Sequence, residues 1–93
     1  MKLYNTIHHP KGPSAQATFE IRDGKIYTTV HHPDGEYAQA WYVLDGNWIK
    51  PAPDHPQKAD PSAAWYEIRG NFVYAAEFHP HGKQALAFFE LKD

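Results

Sequence analysis

The dipeptide His-Pro stands at 9–10, 32–33, 55–56 and 79–80, so its prolines follow one another at steps of 23, 23 and 24 residues. Self-similarity at a fixed short period marks a chain written as copies of one supersecondary unit, each too small to bury its own apolar face. The likeness extends past the dipeptide. Residues 8–17 and 31–40 share His, His, Pro, Gly, Ala, Gln and Ala in the same order, and Glu20-Ile21-Arg22 reappears as Glu67-Ile68-Arg69. One domain of four units follows, spanning 1–23, 24–46, 47–70 and 71–93. The third unit is the irregular one, with Pro51, Pro53, Pro56, Pro61 and a single inserted residue.

The local chemistry of a unit is that of a hairpin. In the second unit, Lys25–His31 and Tyr37–Leu44 are rich in β-branched and aromatic residues, and Pro33-Asp34-Gly35 interrupts them. Pro presets φ, Asp suits the next position and Gly supplies the left-handed residue of a three-residue loop. Pro10-Lys11-Gly12 and Pro80-His81-Gly82 repeat that chemistry, while Asp23-Gly24, Gly46-Asn47 and Gly70-Asn71 fit two-residue type I′ turns between units. The expected fold is therefore all-β: four tandem hairpins in an eight-strand antiparallel meander.

Those turns fix a register that the apolar pattern tests, because a one-residue slip moves every side chain to the other face. The three-residue loop sets Val30 against Ala38, Thr28 against Ala40 and Ile26 against Tyr42. The two-residue turns set Ile21 against Ile26, Leu44 against Ile49 and Ile68 against Val73. One face then carries the apolar residues, graded from alanine near the His-Pro loops to Phe, Tyr, Leu and Ile at the other end. An open sheet cannot cover such a face. A closed barrel is the expected solution, ahead of a two-sheet sandwich crossed by the proline-rich 51–61 stretch. Closure makes a cup, plugged at the bulky end and polar at the His-Pro end.

Composition bounds the partners. Nine basic residues are scattered through a chain of net charge −2, no phosphate-binding footprint emerges, and no apolar run approaches the ~18 residues of a transmembrane helix. Neither nucleic acid nor membrane is an expected partner. With no cysteine, disulfides and thiolate metal sites are excluded, and a start at Met1 without a basic and apolar leader points to the cytoplasm.

Candidate site residues come from parity. His9, His32, His55 and His79 fall on the inward face at one rim, with Glu77, Thr28 and Asn5 pointing the same way, and form the candidate ligand-binding set. Each of these histidines also opens a tight turn whose backbone its own ring can bond. A metal ion is a further reading for four imidazoles beside Glu77, but the spacing is no known metal signature and no cofactor is expected. The sequence offers no nucleophile elbow, glycine-rich phosphate loop or two-His zinc helix. A base–acid pair of His79 and Glu77 is its one catalytic option, so a non-enzymatic role is expected.

On the opposite face lie Tyr27, Trp41, Trp65, Tyr74 and Phe88, a candidate interface for a protein partner or a second copy of the chain. Pro33-Asp34-Gly35 followed by Tyr37 and Trp41 resembles the MORN-type hairpin repeat. The chain departs from that pattern at Ala38 and Ala40 and in a glycine five residues after Trp41, and no function is carried across. The functional expectation is a small binding module with its ligand at the His-lined end of the barrel. Protein contact or self-assembly through the outer aromatics is the first alternative, and a metal or minor enzymatic role at the rim the second.

Overall fold

Eight four-residue strands, β1 (Lys2–Asn5), β2 (Phe19–Arg22), β3 (Lys25–Thr28), β4 (Tyr42–Asp45), β5 (Trp48–Pro51), β6 (Tyr66–Arg69), β7 (Phe72–Ala75) and β8 (Phe89–Lys92), pair antiparallel in chain order. Strand β8 returns to β1 and closes the barrel, so the sandwich is excluded. The structure is a computed structural model that describes residues 1–57, 60, 62–80 and 82–92, and no helix occurs among them.

The two-residue turns hold the longer ladders. Arg22 faces Lys25, Asp45 faces Trp48 and Arg69 faces Phe72, each at the end of a four-pair ladder. Ile21↔Ile26, Leu44↔Ile49 and Ile68↔Val73 pair as the turn chemistry requires. Asp23 and Gly24 both take positive φ, +52° and +75°, which is the type I′ turn. The other two turns differ from expectation: only Gly46 and Gly70 are left-handed, and the Asn that follows is not, the pattern of type II′. Glycine leads in those two turns, and II′ needs φ > 0 at the first position alone.

Across the His-Pro connections the ladder is shorter than expected. Ile26↔Tyr42 forms, but the strands part beyond it, so Thr28–Ala40 and Val30–Ala38 do not pair. Ala15, Ala38 and Ala85 are exposed instead of lining the cup. The backbone has alternatives there: Thr29 donates its hydroxyl to the Ala17 carbonyl and accepts from His31 N–H at 3.2 Å, and Thr28 Oγ1 accepts from Tyr37 N–H at 2.9 Å. Such local hydroxyl bonds compete with strand pairing. Pro51 sits inside β5 without cost to the sheet, since it ends the strand and Ala52 makes the next bond, to Trp41 O at 2.8 Å.

Every strand contributes to one core. Leu3, Ile26, Ile49 and Val73 from the odd strands meet Phe19, Tyr42, Tyr66 and Phe89 from the even ones, around a residual void of only about 10 Å³. The barrel is a filled core and not a pore. Outside, cations lie over the tyrosines: Arg22 over Tyr27 at 4.1 Å, Arg69 over Tyr74 at 3.9 Å and Lys92 over Tyr4 at 5.3 Å. On β4 and β5 the same place is taken by an ion pair, Lys50–Asp45 at 2.8 Å.

Candidate functional site

After β1, β3 and β7 the chain enters two consecutive turns with a histidine at their junction, and after β5 His55 closes the first such turn. The His9, His32, His55 and His79 N–H groups donate to Thr6, Thr29, Ala52 and Ala76 carbonyls at 3.0–3.1 Å. Three of these histidines then accept at their own carbonyl from Gly12, Gly35 and Gly82 N–H at 2.8–2.9 Å. Pro in second place and a glycine at φ of +78° to +84° in fourth place are what that second turn demands. The imidazole completes it: Nδ1 of His9, His32 and His55 accepts from the N–H of Lys11, Asp34 and Gln57 at 3.1, 3.0 and 3.1 Å. His81, the matching residue of the fourth loop, lies outside the described residues.

So held, the four imidazoles stand over an aromatic floor. Phe19, Tyr42, Tyr66 and Phe89 form a closed ring of edge-to-face contacts with centroids 5.6–5.8 Å apart. His32 wedges between Phe19 and Trp41 at 5.0 and 4.6 Å, and His55 between Tyr42 and Trp65 at 4.9 and 4.8 Å. His79 meets Tyr66 and Phe88 at 4.9 and 5.9 Å, and His9 meets Phe89 and Phe88 at 5.1 and 5.6 Å. Edge-to-face pairs of this kind add to the burial of the rings themselves.

Trp41, Trp65 and Phe88 are therefore inside, each only 6–7% exposed, and not on the outer face where alternation places them. Alternation holds only within a strand. Each of these residues immediately precedes β4, β6 or β8, where the chain has left the ladder on one side, so it and its neighbour both turn inward. Tyr27 and Tyr74 remain outside and half-buried under their arginines.

The other expected rim residues divide. Asn5 borders the bowl and accepts from the Thr18 hydroxyl at 2.8 Å. Thr28 is buried and lines an outer groove with Tyr4 and Glu20. Glu77 is exposed and lines another outer groove with Trp48 and Phe78, away from His79, because β7 ends at Ala75 and parity lapses beyond it. The pairing of Glu77 with His79 is thus corrected: His79 Nε2 shares a hydrogen bond with Tyr66 Oη at 3.0 Å.

The bowl encloses about 260 Å³, bordered by His9, His32 and His55 with Trp41, Trp65 and the floor rings. It is lopsided. Where the later units place Trp41, Trp65 and Phe88, the first places Thr18, which leaves a notch walled by Thr18, Asn5, His9 and His32 over Phe19. Sequence comparison of the units locates this substitution, but only knowing that position 41 faces inward gives it meaning.

The electrostatics favour the neutral form of the rings that border the bowl. Burial lowers the pKa of His9, His32 and His55; Lys11 lowers His9 and His32 further, and Asp34 partly restores His32. A backbone N–H donating to Nδ1 puts the proton of a neutral ring on Nε2, so His9 and His32 each offer a donor directed away from their own turn. Burial pushes Tyr66 up to about 12 and holds Tyr42 well above the usual phenol range, so both phenols stay protonated and hydrogen-bonded to each other. His55 Nε2 is buried with no hydrogen-bond partner among the described residues, facing the rings of Trp41, Tyr42 and Trp65. Among the described residues no three His, Asp or Glu side chains converge as metal ligands would.

Comparison with protein-family models, curated proteins and solved structures finds no match to this chain.

Proposed function

We propose that this chain is a small binding module, without chemistry of its own, that takes a small molecule into the bowl at the His-Pro end of the barrel. The observation that carries this reading is the notch at Thr18, an apolar floor with polar donors left unpaired above it. Among the described residues His9 and His32 bond through Nδ1 and not through Nε2, whereas the Nε2 of the fourth histidine is tied to Tyr66. Mostly apolar concavities with a few convergent polar groups are the usual form of a ligand site. Among the described residues no nucleophile at the rim is matched to a base, and the imidazoles pack edge-to-face on aromatic rings.

The test is an NMR titration of small aromatic and sugar fragments. Binding in the bowl moves the indole N–H signals of Trp41 and Trp65 together with the His9 and His32 ring protons. Fragments that shift only outer residues, or none at all, overturn the reading. A protein partner or a second copy remains the other reading, resting on a groove of about 330 Å³ that exposed Trp48 and Phe78 flank. A sedimentation mass that rises with concentration and falls with Trp48→Ala is its signature.

A further inference from the structure

Resting on the bowl as a ligand site, we infer that its ligand is a planar organic anion, an aromatic carboxylate whose ring fills the notch at Thr18 and whose carboxylate meets the Nε2–H groups of His9 and His32 and the ammonium of Lys11. Three of the four walls carry a large ring at the position before the floor residue: Trp41, Trp65 and Phe88. At Thr18 that ring is missing while the flanking imidazoles are present, so the space has the shape and the edge-to-face surroundings of an aromatic group. The ligand's ring is the fourth member of the set.

The polar side of the notch selects charge. Lys11 borders the bowl with His9 and His32, and its charge acts on both. Among the charged side chains of that border it is set against a single carboxylate, Asp34. An ammonium and two imidazole N–H donors favour an anion, and charge-assisted bonds to a carboxylate are the strong ones. A neutral ring leaves those donors unpaired, and a cationic one faces Lys11.

Calorimetry and NMR at pH 7.5 with benzoate, benzamide and benzylammonium test this, using the whole chain. Benzoate is expected to bind about tenfold tighter than benzamide, with benzylammonium weakest. Lys11→Ala, an exposed position, removes the advantage of benzoate over benzamide, while Asp34→Asn tightens benzoate. Thr18→Trp, which copies the residue of the second and third units, blocks all three probes in a protein that still melts cooperatively. Should benzamide equal benzoate, benzylammonium bind best, or Lys11→Ala leave benzoate unaffected, the anion assignment falls and the bowl reading survives. Should no probe shift the Trp41 and Trp65 indole signals, or Thr18→Trp bind as well as the parent, the bowl reading falls with it.

Discussion

The Nε2 of His79 lies 3.0 Å from the hydroxyl of Tyr66, a buried bond that ties the rim of the fourth unit to the floor of the third. The Tyr66 hydroxyl is bonded to Tyr42 as well, so two polar groups depend on one oxygen. Phe19 and Phe89 fill the matching floor positions, so Tyr66→Phe preserves the ring packing and removes only the bonds. Stranding buried polar groups costs more than a bond between exposed ones. The expected loss is about 1–2 kcal/mol in urea unfolding; an unchanged midpoint contradicts the bond.

Acid is expected to loosen the barrel before it protonates carboxylates. His9, His32 and His55 are held below the ordinary 6.5 chiefly by burial, with Lys11 adding to the effect on the first two, Asp34 opposing it at His32 and the Gln57 backbone opposing it at His55. The unfolded chain takes up these protons near 6.5 and the folded one only at lower pH, so in that window the unfolded state binds more protons. Stability is therefore complete above 6.5 and declines as pH falls through the depressed values. A melting temperature steady from pH 8 to 7 and falling as the pH drops below 6.5 is the expected profile, flattened in His9→Asn/His32→Asn. A midpoint that rises on acidification contradicts it.

The inward placement of Trp41 separates cleanly from that of Tyr27. Trp41→Ala empties a buried position and is expected to cost about 3–5 kcal/mol, while Tyr27→Ala strips a half-buried ring from under Arg22 and costs about 1 kcal/mol. Equal losses in chemical denaturation are incompatible with the two positions described.

Much of this geometry is legible in the chain itself, and the reason is the turns. Asp23-Gly24 and its counterparts fix Ile21 against Ile26 and Ile68 against Val73, and the His-Pro loops return the strands in register at Ile26↔Tyr42. The habit of His9, His32 and His55 of bonding their own turns follows from their place before Pro. The wall of the bowl is another matter. Period-two reasoning continues a strand past its end, so it sends Trp41, Trp65 and Phe88 outward and Glu77 inward, whereas the ladders have already stopped at Ile26↔Tyr42, Ile49↔Tyr66 and Val73↔Phe89. Long-range ring packing, not local pattern, decides those positions.

Ring closure predicts a tolerated rearrangement. Lys2 pairs with Lys92 as Lys25 pairs with Arg22, and the β1–β8 ladder has the four pairs of a tight hairpin. A chain opened between Gly46 and Asn47, with Asp93 followed by Gly in place of Met1 to imitate Asp23-Gly24, is expected to fold to the same barrel. Matching near-ultraviolet dichroism and a melting point within a few degrees support this; loss of cooperative melting refutes it.

Beneath the floor rings, Leu3, Ile26, Ile49 and Val73 leave a gap of only about 10 Å³, at most the room of one water and without polar partners to hold it. With the axis filled, a guest of the kind proposed above would have to leave between the imidazoles by the doorway it came through. The loops around that doorway would then set how long it stays, apart from the rigidity of the barrel.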